Sequence, residues 1–134
     1  MKVSNIARKI LITLSAFMLI FIFIPSLADA QYLKTTVSEI QKAQDQFDGK
    51  QVQVDGKVQS LNLRTSKRGN DYTTFKLADS TGTSMTVYSR GHLPISNGQS
   101  VRVKGRYNKV THVPPRWTFY NQIDASEGSV EALK

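Results

Sequence analysis

The sequence predicts an all-β fold, a small five-stranded Greek-key barrel with a short helix in front of it. Two observations carry this prediction: several runs alternate apolar and polar residues, and Gly56 interrupts the first of them. Alternation with a period of two is typical of strands that bury one face. A glycine inside a strand is typical of a bulge or sharp bend, which would let one strand serve both sides of a barrel.

The first 30 residues have the features of an export signal. Three basic residues precede an uncharged run over residues 10–24, and Ala28-Asp29-Ala30 matches the A-x-A cleavage pattern. The run is shorter than the ~20 residues that span a bilayer, which favours a cleaved signal over a retained anchor. We therefore expect a cleaved signal peptide over residues 1–30, a periplasmic or extracellular location, and no stable membrane anchor after cleavage.

The charge of the chain is moderately basic. Residues 1–30 hold three basic residues and one acidic residue, so their removal lowers the net charge from +8 to +6. Such an excess suits nucleic acid, an acidic polysaccharide or an anionic membrane surface, and it equally suits a soluble basic exported protein. The chain has no cysteine, which excludes lipoprotein attachment, disulfides and thiolate metal sites.

A short helix is expected in front of the barrel. Residues 31–36 show no pattern and are interpreted as a lead-in. Thr36 and Glu39 have the spacing of a capping box, and Gly49 is a suitable helix stop. Apolar residues then recur every three or four positions, as in a helix that packs one face over the end of a sheet. These residues are Val37, Ile40, Ala43 and Phe47.

Five strands are expected in the barrel domain, which is assigned to residues 37–125. The central pair forms a hairpin around the turn Asp79–Gly82, whose residue types favour tight turns. The polar residues 126–134 are expected to form a flexible tail. The predicted strands cover residues 51–63, 72–77, 84–88, 99–107 and 117–125.

Two long loops complete the pattern. Residues 64–70 separate the first two strands, and residues 108–116, which contain a Pro-Pro pair, separate the last two. Five strands with long loops at these two places are the organisation of an OB-fold. That fold binds ligands through its second and third strands and through these two loops.

The scaffold residues resemble the anticodon-binding type of nucleic-acid-binding OB domain over about Val37 to Ala125. This resemblance implies an OB barrel that binds nucleic acid, although a fold alone does not fix a function. The matching segments are Gly49-Lys50-x-Val52-x-Val54-x-Gly56-x-Val58, Phe75-x-Leu77-x-Asp79-x-x-Gly82 and Asn97-Gly98-x-x-Val101-x-Val103-x-Gly105.

A second resemblance involves exported proteins. Val87-Tyr88-x-x-Gly91-x-Leu93-Pro94, with the glycine and valine pattern of residues 98–105, is similar to the periplasmic haem chaperones of cytochrome c maturation. That resemblance implies haem attached through a histidine beyond the last strand. Residues 126–134 contain no histidine, so a haem-chaperone-like carrier is the third hypothesis for this chain.

Binding of single-stranded nucleic acid requires a positive groove for phosphates and aromatic faces for bases. The outward faces of the second and third strands and the two long loops offer both. The alternative is that the tyrosines are ordinary cross-strand partners and the cations a solvated surface. The candidate nucleic-acid-binding residues are Arg64, Lys67, Arg68, Tyr72, Lys76, Tyr88, Lys109, Arg116 and Trp117.

The main hypothesis is therefore an exported OB-fold module that binds single-stranded nucleic acid, oligonucleotides or another polyanion with little sequence preference. A protein- or glycan-interaction module is the second hypothesis. His92 and His112 are the only histidines, and neither has a second ligand at metal-binding spacing. No nucleophile and base can be paired, so we expect no enzyme, no metal site and no cofactor.

Overall fold

Six strands and two short helices make up residues 31–134, the part of the chain that the computed structural model describes. The predicted signal peptide, residues 1–30, lies outside the described residues. Within residues 31–134, no helix is long and apolar enough to cross a membrane. The elements are β1 (Leu33–Thr35), α1 (Val37–Lys42), α2 (Gln44–Phe47), β2 (Gln51–Thr65), β3 (Asp71–Ala78), β4 (Ser84–Arg90), β5 (Ser100–Val113) and β6 (Trp117–Ala132).

The five longer strands pair in a ring, which confirms the predicted all-β, barrel-like fold. β2 pairs with β3, β3 with β4, β4 with β6 and β6 with β5, and β5 returns to β2. The β4–β6 pairing is parallel, and the other four are antiparallel. The predicted lead-in, residues 31–36, contains the additional strand β1. It forms because the edge of β2 at residues 52–54 is free until β3 occupies that edge from Lys57 onwards.

β2 is shared between two partners, as the glycine within it suggested. Its residues 51–57 pair with β5, and β3 begins to pair with it at Lys57. A Cβ atom at Gly56 would lie 2.6 Å from the carbonyl oxygen of Ala78, so the end of β3 can approach β2 only at a glycine. The bulge itself lies further along, between Gln59 and Asn62.

The core lies inside the ring and is built from the inward-facing positions of the strands, with two side chains from α1. Tyr107 is the largest fully buried residue, and its hydroxyl donates a hydrogen bond to Asn121 Oδ1 at 2.6 Å. This bond satisfies a polar group that would be costly to bury alone. The other core residues include Val37, Ile40, Val52, Val54, Val58, Phe75, Leu77, Met85, Val87, Val101, Val103 and Ile123.

Thr36 begins α1 as predicted, because its side-chain oxygen accepts a hydrogen bond from the backbone N–H of Glu39 at 3.1 Å. The single predicted helix is in fact two, since Ala43 leaves the helical conformation. Ser38 donates hydrogen bonds from its backbone N–H and its hydroxyl to the Asp79 carboxylate. These bonds fasten the start of α1 to the β3–β4 turn.

β5 and β6 are both longer than predicted. Residues 108–116 were expected to form a loop, but β5 continues through them to Val113 and the chain turns directly into β6. Residues 126–134 were expected to form a flexible tail, but β6 continues to Ala132, which lies opposite Val101 of β5. Both differences have the same cause: paired β strands extend past the points where the alternating pattern weakens.

The predicted end of the last strand, Ala125, coincides with a break in register. Lys104 lies opposite Ser129, whereas Arg106 lies opposite Asp124. Five residue steps of β6 therefore span two steps of β5, and the extra residues bulge out. A Cβ atom at Gly128 would collide with the carbonyl oxygen of Lys104, so glycine allows the strand to resume its pairing.

Candidate functional site

The structure brings three of the predicted site residues together on the outer face of the barrel. The rings of Tyr72 and Tyr88 lie 5.7 Å apart, centroid to centroid, and are tilted by 32°. Arg64 lies opposite Tyr72 on the neighbouring strand β2. Both tyrosines are half-buried. Their contact is the cross-strand aromatic pair named above as the structural alternative.

The predicted cations of the first loop lie beyond this face. Lys67 and Arg68 are exposed in the tight turn between β2 and β3, which backbone bonds between Ser66, Gly69 and Asn70 close. Lys76 is exposed on β3, opposite Gln59 of β2 and Thr86 of β4. These cations are therefore spread along the length of β3.

The other three predicted residues lie in a different part of the molecule. Lys109, Arg116 and Trp117 belong to the hairpin formed by the ends of β5 and β6. The strand register places this hairpin beyond the Ser84 end of β4, whereas the β2–β3 turn lies beyond the Arg90 end. The nine residues thus form two separate groups.

Several basic side chains are already paired with acids. Lys109 Nζ lies 2.7 Å from Asp45 Oδ1, and this hydrogen bond raises the pKa of the lysine. Arg102 makes two hydrogen bonds to the Asp55 carboxylate, at 2.9 and 3.2 Å, and they raise the pKa of the arginine. Two of the basic side chains of β5 therefore have acidic partners.

The hairpin of residues 109–121, here called the arm, is the most apolar exposed surface among the described residues. Its two strands pair only with each other. The pairing of β2 with β5 ends at Arg106, before the arm begins, and the pairing of β4 with β6 starts at Gln122, after the arm ends. Of seven large hydrophobic side chains exposed in residues 31–134, five belong to the arm. They are Val110, Val113, Trp117, Phe119 and Tyr120. Clustered exposed apolar side chains are typical of interaction surfaces, so the arm is the candidate functional site.

The two faces of the arm differ in chemistry. Residues directly opposite each other share a face, and faces alternate along each strand. One face combines the pair Val110 and Tyr120 with the pair His112 and Thr118. The other face carries Phe119 opposite Thr111 and Trp117 opposite Val113. Only the first face presents an ionisable ring among its apolar groups.

The two histidines occupy different environments. His112 lies within β5 and is exposed, and its Nδ1 lies 3.1 Å from the Thr118 hydroxyl. His92 does follow β4 in a non-strand segment, where its Nε2 lies 2.9 Å from the carbonyl oxygen of Arg64 and 3.6 Å from Asp71 Oδ1. The histidine on the arm therefore has an open Nε2 and the other does not.

The best-formed cavity in the described part of the chain is small. It has a volume of about 200 Å³ and lies beside the β5–β6 bulge, lined in part by Gly105, Arg106 and Asp124. Pockets that bury a small organic ligand measure ~300–1,000 Å³. No group of three or more metal-ligating side chains is present within residues 31–134. A large ligand would have to lie on the surface.

Sequence reasoning missed most of the arm. It singled out Lys109, Arg116 and Trp117 but gave no binding role to Val110, His112, Phe119 and Tyr120, because these positions were assigned to a loop and to the last strand. A signal was present. The segments on both sides of Pro114-Pro115 are rich in β-branched and aromatic residues, which is typical of two strands joined by a tight turn.

Comparison with known families identifies residues 31–114 as a match to the CcmE domain, the OB-fold-like domain of haem chaperones of cytochrome c maturation. This match covers more than half of the 134 residues. No curated protein matches the chain. The assignment to the anticodon-binding type of OB domain is therefore wrong, and so is the expectation of single-stranded nucleic acid as its partner.

Proposed function

Because the chain belongs to the CcmE domain family, we propose that it is a haem-binding carrier that holds haem on the surface of the arm. The family match over residues 31–114 is the observation that carries this proposal. The matched residues include the first strand of the arm and His112. The chain would bind and release its ligand without changing it chemically.

The surface of the arm supports this choice of ligand. Haem is a flat aromatic macrocycle, and flat apolar ligands gain most of their binding free energy by covering apolar and aromatic side chains. Trp117 and Tyr120 are 66% and 69% exposed, so their rings are available for such contact. The barrel interior offers no equivalent space, because it is filled by the core side chains.

The charge of the arm also suits haem, whose two propionates are anionic. Residues 109–121 contain Lys109 and Arg116 and no carboxylate. Among the described residues, Arg116 forms no salt bridge, whereas Lys109 is paired with Asp45. Arg116 at the tip of the arm is thus the cation best placed to bind a propionate.

The proposal includes export. The predicted signal peptide over residues 1–30 supports a location outside the cytoplasm, where a carrier that moves haem between partners would work. Protein partners of a maturation pathway would then be the donors and acceptors of the haem.

The proposal is tested by titrating the purified protein with ferric haem and following the Soret absorbance band. We expect saturable binding that weakens when Trp117 and Tyr120 are both replaced by alanine. The two rings lie on opposite faces of the arm, so the double variant removes one ring, worth about 0.5–1.5 kcal/mol of stacking, from whichever face haem covers. It should therefore lower the affinity about two- to tenfold.

A matched control removes two aromatic rings from the barrel instead. The double variant Tyr72→Ala/Tyr88→Ala should bind haem as the wild type does, provided its circular dichroism shows that it is folded. Equal losses in the two double variants would contradict binding on the arm. Absence of saturable binding by the wild type would overturn the proposed function itself.

A further inference from the structure

We infer that His112 is the axial ligand of the haem iron, held in position by Thr118, an inference that rests on the proposed function. It deepens that function by naming one face of the arm, the face of Val110, His112, Thr118 and Tyr120, as the porphyrin site. It places the ligand on β5, before the last strand, whereas the resemblance described above implies a histidine beyond that strand.

The arrangement of side chains on this face suits a ligated porphyrin. Opposite and diagonal neighbours on one face of a two-stranded ribbon lie ~5–8 Å apart. Tyr120 is a diagonal neighbour of His112, and Val110 lies two residues before His112 on the same strand, about 7 Å away. One macrocycle can therefore cover all three side chains. Because strand side chains stand roughly perpendicular to the sheet, the imidazole projects from the surface on which the macrocycle would lie.

The hydrogen bond to Thr118 prepares the imidazole for coordination. When Nδ1 carries the proton, it donates to the Thr118 hydroxyl oxygen across a distance of 3.1 Å. The lone pair is then on Nε2, the nitrogen that is free to bind iron. Histidines that ligate metals are commonly fixed in this way by a bond from their other ring nitrogen.

His92 provides the internal comparison. Its Nε2 faces the carbonyl oxygen of Arg64 at 2.9 Å, and a carbonyl can only accept, so the Nε2 proton is used there. No exposed large hydrophobic side chain other than Leu63 lies within two residues of Arg64, and the five of the arm belong to a different hairpin. His92 therefore has its Nε2 engaged by the backbone, and it lacks the exposed apolar side chains that surround His112.

Two porphyrins separate iron ligation from stacking. Ferric haem can be ligated, whereas metal-free protoporphyrin IX has the same ring and propionates but no iron. We expect His112→Ala to lower the affinity for haem at least about tenfold, because losing a group that only orients a metal ligand already costs ~10–100-fold. The affinity for protoporphyrin IX should not change. Tyr120→Ala should weaken the binding of both porphyrins.

The control variant is His92→Ala, which should leave both affinities and the Soret maximum of the haem complex as in the wild type. Added imidazole should restore the wild-type Soret maximum in His112→Ala, because it can occupy the vacated iron position. If His112→Ala and wild type bind haem equally, or if His112→Ala loses both porphyrins equally, the inference is overturned. The proposed function would survive either result, whereas it would fall with the inference if the wild type bound neither porphyrin.

Thr118 is tested as a positioning residue. Thr118→Val removes the hydroxyl at nearly constant shape and should weaken haem binding but not protoporphyrin IX binding. Thr118→Ser keeps a hydroxyl and should restore the wild-type affinity. A purely structural role for Thr118 would instead change the two porphyrins alike, and that outcome would contradict the positioning role.

Discussion

β5 and β6 pass through two environments, and the contrast between them separates the scaffold of this molecule from its contact surface. In the barrel, Val103 and Tyr107 point inward and are fully buried, while Arg102 points outward and is paired with Asp55. In the arm, the same two strands expose apolar side chains on both faces. β5 and β6 are regular strands in both places, but their apolar side chains are buried only in the barrel, where other strands surround them.

A two-stranded ribbon with apolar groups on both faces adds little to the stability of a fold. Among the described residues, the hydrophobic core cluster and the side chains packed against it include none from the arm. The exposed side chains of the arm are therefore available for a ligand. Whether an apolar residue is buried therefore depends on how many strands surround its own strand, and the sequence of that strand alone does not reveal this.

The same substitution in the two regions should have very different effects on stability. Phe75 is 1% exposed and Phe119 is 44% exposed. Phe75→Ala should lower the free energy of unfolding by about 3–5 kcal/mol, because it leaves a cavity in the core. Phe119→Ala should cost less than about 1 kcal/mol. Urea unfolding followed by circular dichroism measures both, and similar losses would show that the arm is part of the stabilising core.

A smaller effect is expected on the stability of the fold at acidic pH. Partial burial of the Asp79 carboxyl raises its pKa, but hydrogen bonds from Ser38 and Thr81 outweigh this and lower the pKa from 3.8 to about 2. A pKa lower in the folded than in the unfolded state means that the carboxylate stabilises the fold above pH 3.8. That stabilisation is lost as the pH falls towards 2. Asp79→Asn should therefore flatten the pH dependence of stability between these values.

The matched control lies in the arm, which has no carboxylate. Thr118→Val should leave the pH dependence of unfolding between pH 4 and 2 as in the wild type. If Asp79→Asn does not alter the dependence, the hydrogen bonds to Ser38 and Thr81 do not hold the carboxylate in solution, and the fastening of α1 to the β3–β4 turn would be wrong.

Much of the barrel could be predicted from the sequence because its signals are local. Alternating valines, the N-cap Thr36 and the turn around Asp79 each act through neighbours a few residues away. Gly56 marked the shared strand because close approach of two backbones requires glycine. The bulge at Gln59–Asn62 could not be placed, since it depends on where β3 meets β2 rather than on residues 59–62 alone.

The candidate site was harder to predict because it depends on the absence of neighbouring strands beside residues 109–121. Trp117 was singled out as a candidate nucleic-acid-binding residue, whereas Phe119 and Tyr120 were assigned only to the last predicted strand. Only the pairing pattern shows that β4 pairs with β6 no further than Gln122, which leaves Phe119 and Tyr120 exposed. The ligand could not be deduced from charge, because much of the positive charge on β5 is neutralised by acids distant in sequence, such as Asp55.

The most direct test of the arm as the haem site is to locate haem on the protein by nuclear magnetic resonance. Ferric haem is paramagnetic and broadens the signals of nearby amides, so it would be added to 15N-labelled protein. Zinc protoporphyrin, which is diamagnetic, serves as the control without broadening. The account predicts that broadening is centred on residues 110–120 while the amides of Tyr72 and Tyr88 persist. Broadening centred on Tyr72 and Tyr88, with the arm unaffected, would contradict it.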